Sequence, residues 1–348
     1  MMSPTIRVFR LPKRTSVHDL VETQEPIPEP LPHEVLIKIR SVALNYRDLA
    51  IATGTYPFPV KDSVVPCSDI SGDVVRAGAN VDGFAPGDKV IASFDQQTLY
   101  GPIKSWTHGL GGPIDGGLRE YIALPGANLV KVPASTSLSY AQLAAIVCTG
   151  TTAWNALYGN VPLKPGQTVL FLGTGGVSIT GLILAKAAGA RTIITSSSDA
   201  KLRRAQATYG ADHGINYRAT PDWAAEVARL TGGAGADYVF ENGGAGTIAQ
   251  SLAAVARGGT VAVIGFLAGC ARDAMPDVAA LALARGAVVR GIVIGSKQQL
   301  EDVARFVAEK GLRLPVDREF GFTRDQVIAA FQYLESAQHV GKVCINVS

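Results

Sequence analysis

The chain has 348 residues, of which 47% are hydrophobic and 18% charged, and its 32 basic and 29 acidic side chains leave a formal charge of +3. This composition excludes a disordered chain, and no basic tract interleaved with aromatics calls for nucleic acid. No uncharged apolar run reaches the roughly 20 residues that span a bilayer, so no membrane partner is expected.

The length allows two domains of about 100 to 200 residues each. Cys67, Cys148, Cys270 and Cys344 are far apart, without C-x-x-C spacing. That argues against a zinc knot or a secreted disulfide framework, and a reducing, cytoplasmic setting is the expectation. The N-terminal residues lack the apolar core of a signal peptide.

In chain order, the first third reads as short strands. Glu34 to Arg40 alternates in character, Lys89 to Phe94 forms another run, and turns fall at Pro28-Glu29-Pro30, Gly54-Thr55-Tyr56-Pro57 and Pro86-Gly87-Asp88. A helical stretch over Ala141 to Tyr158 opens a region where strands and helices alternate. Its members include Val169 to Leu172, Thr192 to Thr195, Ala200 to Tyr209, Asp237 to Phe240, Thr247 to Ala256 and Thr260 to Gly265, a pattern of a doubly wound parallel sheet. Leu300 to Glu309 is amphipathic. Gly341 to Val347 reads as a last strand returning to the first domain, and Val288 to Ile294 as an edge strand suited to pairing in a homodimer. The expected class is α/β, with a β-rich domain over 1–135 and 298–348 and a dinucleotide domain over 136–297.

The strand Val169 to Leu172 runs into Gly173-Thr174-Gly175-Gly176-Val177-Ser178 and then an apolar helix. Glycine supplies the turn's backbone angles and leaves room for a pyrophosphate, while the helix start offers free N–H groups. The phosphates are expected on Gly173, Gly175, Gly176, Val177 and Ser178, the last standing where G-x-G-x-x-G has its third glycine. Asn242-Gly243-Gly244, Gly265-Phe266-Leu267 and Ile294-Gly295-Ser296 each follow an apolar strand and are expected to face the ribose and nicotinamide. A tight turn with no ligand is the alternative for each.

The second strand of this region ends in Thr195-Ser196-Ser197-Ser198, with Lys201 next, rather than in the acid that binds an unphosphorylated ribose. Hydroxyls and an ammonium suit a 2′-phosphate, so NADPH is the expected cofactor. The alternative makes Ser198 or Asp199 a helix cap and puts Lys201 on a solvated face.

Asn45-Tyr46-Arg47-Asp48-Leu49, Pro66-Cys67-Ser68-Asp69-Ile70-Ser71-Gly72, Gly83 to Val90, Gly117 to Tyr121, Gly150 to Trp154 and the Gly173 turn together make the whole chain resemble the medium-chain dehydrogenase/reductase superfamily. The resemblance implies a GroES-like catalytic domain, a Rossmann domain and an active site in the cleft between them. Positions matching the catalytic zinc ligands of its metal-dependent members read Asn45, Ser68 and Cys148, and the segment matching the structural zinc lobe, about residues 95 to 115, has no cysteine. Three protein ligands are needed for a catalytic zinc, so no metal is expected and Cys148 reads as a small buried hydrophobe.

The resemblance thus points to the zinc-free branch of quinone oxidoreductases and enoyl reductases, which move hydride from NADPH to an activated carbon–carbon double bond, as in an enone or enoyl compound, or to a quinone, so a small apolar electrophile is the expected partner. By that resemblance Thr152 lies near the nicotinamide, Lys342 near the cofactor, and Tyr217 of Asn216-Tyr217-Arg218 on the 2′-phosphate. Tyr56 matches the proton donor, and Asn45 replaces a zinc ligand in the site. Packing over a turn is the other reading of Tyr56, and local backbone bonding that of Asn45. Two further functions stay open: a metal-free NADP-dependent alcohol dehydrogenase or carbonyl reductase, and an NADPH-binding module without turnover.

Overall fold

The computed structural model describes residues 4–133 and 135–347. The chain divides into two compact units, Met1–Thr151 with Ile294–Ser348, and Thr152–Val293.

The first unit opens with β1 (Thr5–Arg10) and β2 (Val21–Pro26), an antiparallel pair. β3 (Glu34–Ala43), α1 (Tyr46–Ala52), β4 (Asp69–Ala77), β5 (Lys89–Ala92), β6 (Tyr121–Pro125), β7 (Leu129–Lys131) and α2 (Tyr140–Ala145) follow. β3 is the hub: it pairs antiparallel with β4 and β6, and Cys344, Ile345 and Asn346 near the far end of the chain pair with Ala43, Val42 and Ser41. β3 is buried on both faces over much of its length, and the alternate residues Val35, Ile37 and Ile39 share one core cluster with Ile70, Ile122 and Val343. The predicted single helix from Ala141 is interrupted: Ile146–Gly150 is one π-helical turn between α2 and α3 (Thr151–Tyr158).

The second unit takes α3 onward and alternates β8 (Thr168–Phe171), α4 (Gly176–Ala187), β9 (Arg191–Ser196), α5 (Asp199–Tyr209), β10 (His213–Asn216), α6 (Trp223–Leu230), β11 (Ala236–Glu241), α7 (Ile248–Ala254), β12 (Val255–Val263), α8 (Val278–Arg285) and β13 (Val288–Gly291). The strands form a parallel six-stranded sheet in the order β10-β9-β8-β11-β12-β13, the doubly wound arrangement of a Rossmann unit. β8 lies inside the sheet and all four of its residues are buried, so its side chains are apolar or β-branched without alternation. α4 comes close to this sheet because Gly181 faces the rings of Phe171 and Phe240, where a Cβ would collide. β13 forms the edge predicted from the sequence.

The chain then re-enters the first unit through α9 (Lys297–Glu309), β14 (Val316–Phe320), α10 (Arg324–Glu335) and β15 (Lys342–Asn346). α9 buries Leu300, Val303 and Val307, the apolar face visible in the sequence. Tyr140–Ala145 packs on β3, β4 and β15, which is why the segment before Thr152 belongs to the first unit. Among the described residues no helix is long and apolar enough to cross a membrane.

Candidate functional site

In the second unit, Gly173 has φ +78°, and a Cβ at Gly173 or Gly175 would meet no heavy atom within 4 Å. The turn therefore presents bare backbone on an open face. Gly175 caps α4 without a side-chain bond, leaving the first N–H groups of the helix to an outside acceptor. The side chain of Ser178 faces inward, which leaves its backbone N–H as the group that serves the expected phosphate contact. Ser178 is buried, its hydroxyl donates to Leu172 O at 2.8 Å, and it accepts from Asn242 Nδ2 at 2.9 Å. Asn242 also donates to Leu172 O at 3.0 Å, and Gly173 N donates to Thr195 Oγ1 at 3.2 Å. Ser178 and Asn242 thus tie the helix start to two strand ends.

Glu241, not singled out in the sequence, shapes the neighbouring loop. Fully buried, it accepts from Gly243 N at 2.8 Å, Gly244 N at 2.9 Å and Thr247 Oγ1 at 2.5 Å, and also from Ser251 Oγ. Backbone bonds from Gly265 N to Glu241 O at 3.2 Å and from Leu267 N to Asn242 O at 3.2 Å join the two loops, and Phe266 and Leu267 stand exposed.

At the ends of β9 and β10, Ser196 pairs in register with Asn216, and Tyr217 N donates to Ser196 O at 3.1 Å. Tyr217, which is exposed, thus lies at the same strand end as Ser196 and the following Ser197, and Lys201 is in the first turn of the next helix, α5. Ser198 is the cap of α5, accepting from Lys201 N at 3.4 Å, while Asp199 Oδ1 is taken by Asn216 Nδ2 at 2.7 Å. Thr152 is buried on α3.

The other expected residues belong to the first unit. Ile294 has φ +43°, and Ser296 caps α9 through a reciprocal bond with Gln299, with Gly295 between them. Lys342 is 2% exposed, and its ammonium donates to Leu44 O at 2.6 Å, Asn45 Oδ1 at 2.8 Å and Asp69 Oδ2 at 3.3 Å. All three of its N–H groups are used inside this unit.

Asn45 precedes α1, and its N–H donates to Asp48 Oδ2 at 2.8 Å while its own Nδ2 is buried and unpartnered. Asp69, another residue the sequence did not single out, accepts from Ser68 Oγ at 2.7 Å and from Cys148 N at 3.2 Å. The π-helical turn carries Cys148 to this position. Burial pushes the Asp48 carboxyl up to about 6, against the opposing pull of Arg47. Among the described residues no three or more His, Cys, Asp or Glu side chains are grouped to hold a metal ion.

Beside this polar centre Arg47, Tyr56, Phe58, Phe94 and Trp106 line one small hollow. Phe58 and Trp106 stack at 3.8 Å, and Tyr56 meets Phe58 edge-on at 5.4 Å. Arg47 lies over the Tyr56 ring at 5.3 Å and the Phe94 ring at 4.9 Å, and donates to Leu110 O at 2.9 Å. Burial works against its charge, but Asp48 and then Tyr56 outweigh it, so the guanidinium titrates above its usual range.

Residues 31–134 match the family model described as the alcohol dehydrogenase GroES-like domain, and residues 176–309 that of the zinc-binding dehydrogenases. A zinc-type alcohol dehydrogenase-like protein of Schizosaccharomyces pombe is 41% identical over 92% of this chain and 93% of its own. An acryloyl-coenzyme A reductase of Metallosphaera sedula is 34% identical over 53% of this chain and 56% of its own. The structure of a putative alcohol dehydrogenase from Sinorhizobium meliloti superposes with a TM-score of 0.89 at 39% identity, covering 100% of both chains. That of an NAD-dependent alcohol dehydrogenase does so with a TM-score of 0.87 at 33% identity, covering 98% of this chain and 100% of the other. With its GroES-like unit, its Rossmann unit and relatives along its whole length, the chain belongs to the medium-chain dehydrogenase/reductase superfamily of nicotinamide-dependent oxidoreductases.

Proposed function

We propose that this chain is a zinc-independent, NADPH-dependent reductase of activated C=C bonds, in enones or enoyl compounds, or of quinones. The observation that carries the reading is the buried Lys342 ammonium bonded to both Asn45 Oδ1 and Asp69 Oδ2. At the three positions that match zinc ligands, the donors are an amide oxygen already engaged by a cation, a neutral hydroxyl that donates to Asp69, and one thiol, Cys148. A divalent ion needs three free ligands and would be repelled by the ammonium, so this set does not suit zinc. Without a Lewis acid several kcal/mol of charge stabilisation at a carbonyl oxygen are missing, which favours conjugated acceptors over simple ketones.

Bound NADPH supplies the hydride. Its pyrophosphate suits the bare Gly173–Gly176 backbone and the start of α4, and its 2′-phosphate suits Ser196, Ser197, Lys201 and Tyr217, where no free carboxylate ends β9. In the first unit the Tyr56 hydroxyl supplies the proton, and Asn45 holds the Lys342 end of the polar centre.

Metal analysis of the purified protein, combined with NADPH consumption against enones, quinones and aldehydes, tests the reading. Turnover of conjugated acceptors by metal-free protein is expected, and stoichiometric zinc required for turnover overturns it. The similarity to an NAD-dependent alcohol dehydrogenase supports a second reading, metal-free alcohol oxidation, which NAD- or NADP-linked oxidation of alcohols reveals. We also propose a cytoplasmic homodimer joined along β13, where Val288 and Val289 are exposed beside α8, which exposes Leu283.

A further inference from the structure

The hollow bounded by Arg47 and the aromatic side chains measures about 10 Å³, which admits one oxygen-sized group and not the body of a ligand. Arg47 is nine-tenths buried, and its Nε has no hydrogen-bond partner, although a buried guanidinium N–H without an acceptor is costly. Its counter-charge is Asp48, whose Oδ1 lies 3.7 Å from Nη1, too far for a hydrogen bond and with no hydrogen-bond partner of its own, and Asp95 also lines the hollow. A cation fixed beneath Tyr56 and Phe94 with an unused donor matches the needs of a single oxygen atom acquiring negative charge.

We infer that the Arg47 guanidinium, at the hollow beside Tyr56, is the catalytic group that binds the carbonyl oxygen of a conjugated substrate and stabilises its charge during reduction. The inference rests on the reductase reading and names the device that does the work of a Lewis acid. Hydride from the reduced nicotinamide forms a C–H bond at the β-carbon. The C=C π pair shifts to the α-carbon–carbonyl bond, and the carbonyl π pair moves onto oxygen, where Arg47 N–H groups hold the enolate. The Tyr56 proton is then transferred to the enolate, leaving oxidised nicotinamide, a reduced substrate and a phenolate that regains its proton from water. The aromatic rim of Phe58 and Trp106 favours substrates whose conjugated system is flat, such as aryl enones.

The test uses the full chain and two variants. Arg47→Met removes the charge at similar bulk, and Gly112→Ala keeps every polar group but places a Cβ 2.6 Å from Arg47 Nη2, pushing the guanidinium aside. Each is assayed for kcat/KM with an aryl enone, for NADPH affinity, and by calorimetry for binding of cinnamate, an unreactive carboxylate that presents an anionic oxygen. The expected result is a fall in kcat/KM of about 100-fold or more for Arg47→Met and a smaller fall for Gly112→Ala, with NADPH affinity unchanged and cinnamate binding weakened in both. If Arg47→Met does not fold, Gly112→Ala decides. Undiminished kcat/KM or cinnamate affinity in a folded variant overturns the role of Arg47, whereas failure of the reductase reading shows separately, as absence of NADPH oxidation by the unaltered protein.

Discussion

Lys342 and Asn45, 297 positions apart in sequence, are joined by a 2.8 Å bond from the ammonium to the amide oxygen. The same ammonium neutralises Asp69, whose side chain is fully buried. Lys342→Met should cost about 3 to 5 kcal/mol, because it strands a buried carboxylate rather than merely removing a contact. Thermal unfolding checks the loss, and adding Asp69→Asn to Lys342→Met should recover part of it. A double variant as unstable as the sum of the single changes contradicts this pairing.

Asp48 gives a pH dependence of definite sign. Its folded value of about 6 lies above the roughly 3.9 of an exposed aspartate, so the folded chain holds this proton more tightly than the unfolded one. Its contribution to stability is therefore complete below about pH 4 and is lost as pH rises through 6. The stability of Asp48→Asn relative to the unaltered protein should rise between pH 4 and 6 and level off above 7, as followed by denaturant unfolding at each pH.

Tyr56→Phe should lower kcat by about ten- to ten-thousandfold if the hydroxyl donates the proton. The ring contacts with Phe58 and Arg47 survive this change, so the thermal midpoint should hardly move. Steady-state kinetics with an enone provides the measurement, and unchanged turnover assigns Tyr56 to packing alone.

Lys201→Ala should raise the Michaelis constant for NADPH far more than that for NADH, since the ammonium acts on the extra phosphate. Titrations of both cofactors at saturating acceptor give the comparison. Equal effects would separate Lys201 from the 2′-phosphate.

Charging the exposed edge at β13 tests the assembly. Val289→Lys should convert a dimer to monomers by light scattering, because an edge lysine opposes strand pairing between copies.

Much of the Rossmann unit was legible because local chemistry fixes it. A buried four-residue strand, a positive-φ glycine and an apolar helix are adjacent in sequence and adjacent in space. β10 was not seen, since His213–Asn216 is short and has no apolar run to distinguish it. The π-helical turn was hidden for a different reason: Ile146–Gly150 continues the apolar character of the flanking helices, and its extra residue shows in hydrogen bonding rather than in composition.

The polar residues were harder. Asp69 and Glu241 each follow or interrupt an apolar run, a signal that a buried acid is present, but neither spacing nor composition says which groups bond it. Those partners come from Lys342 and Cys148 for one, and from a loop and a helix start for the other. Ser178 adds a detail the motif does not carry: whatever its backbone N–H meets, its hydroxyl turns inward to Leu172 and Asn242.

The pairing of β15 with β3 has a consequence for synthesis. The Rossmann unit is one uninterrupted run and can complete its sheet as soon as it emerges from the ribosome, while the first unit must wait for residues made some three hundred codons after β3. A nascent chain stopped before Lys342 carries Asp69 without the ammonium that bonds it and leaves the Ser41–Ala43 end of β3 without its β15 partner. Premature termination there should yield a protein that still binds its nucleotide yet is a preferred substrate for chaperones and proteases.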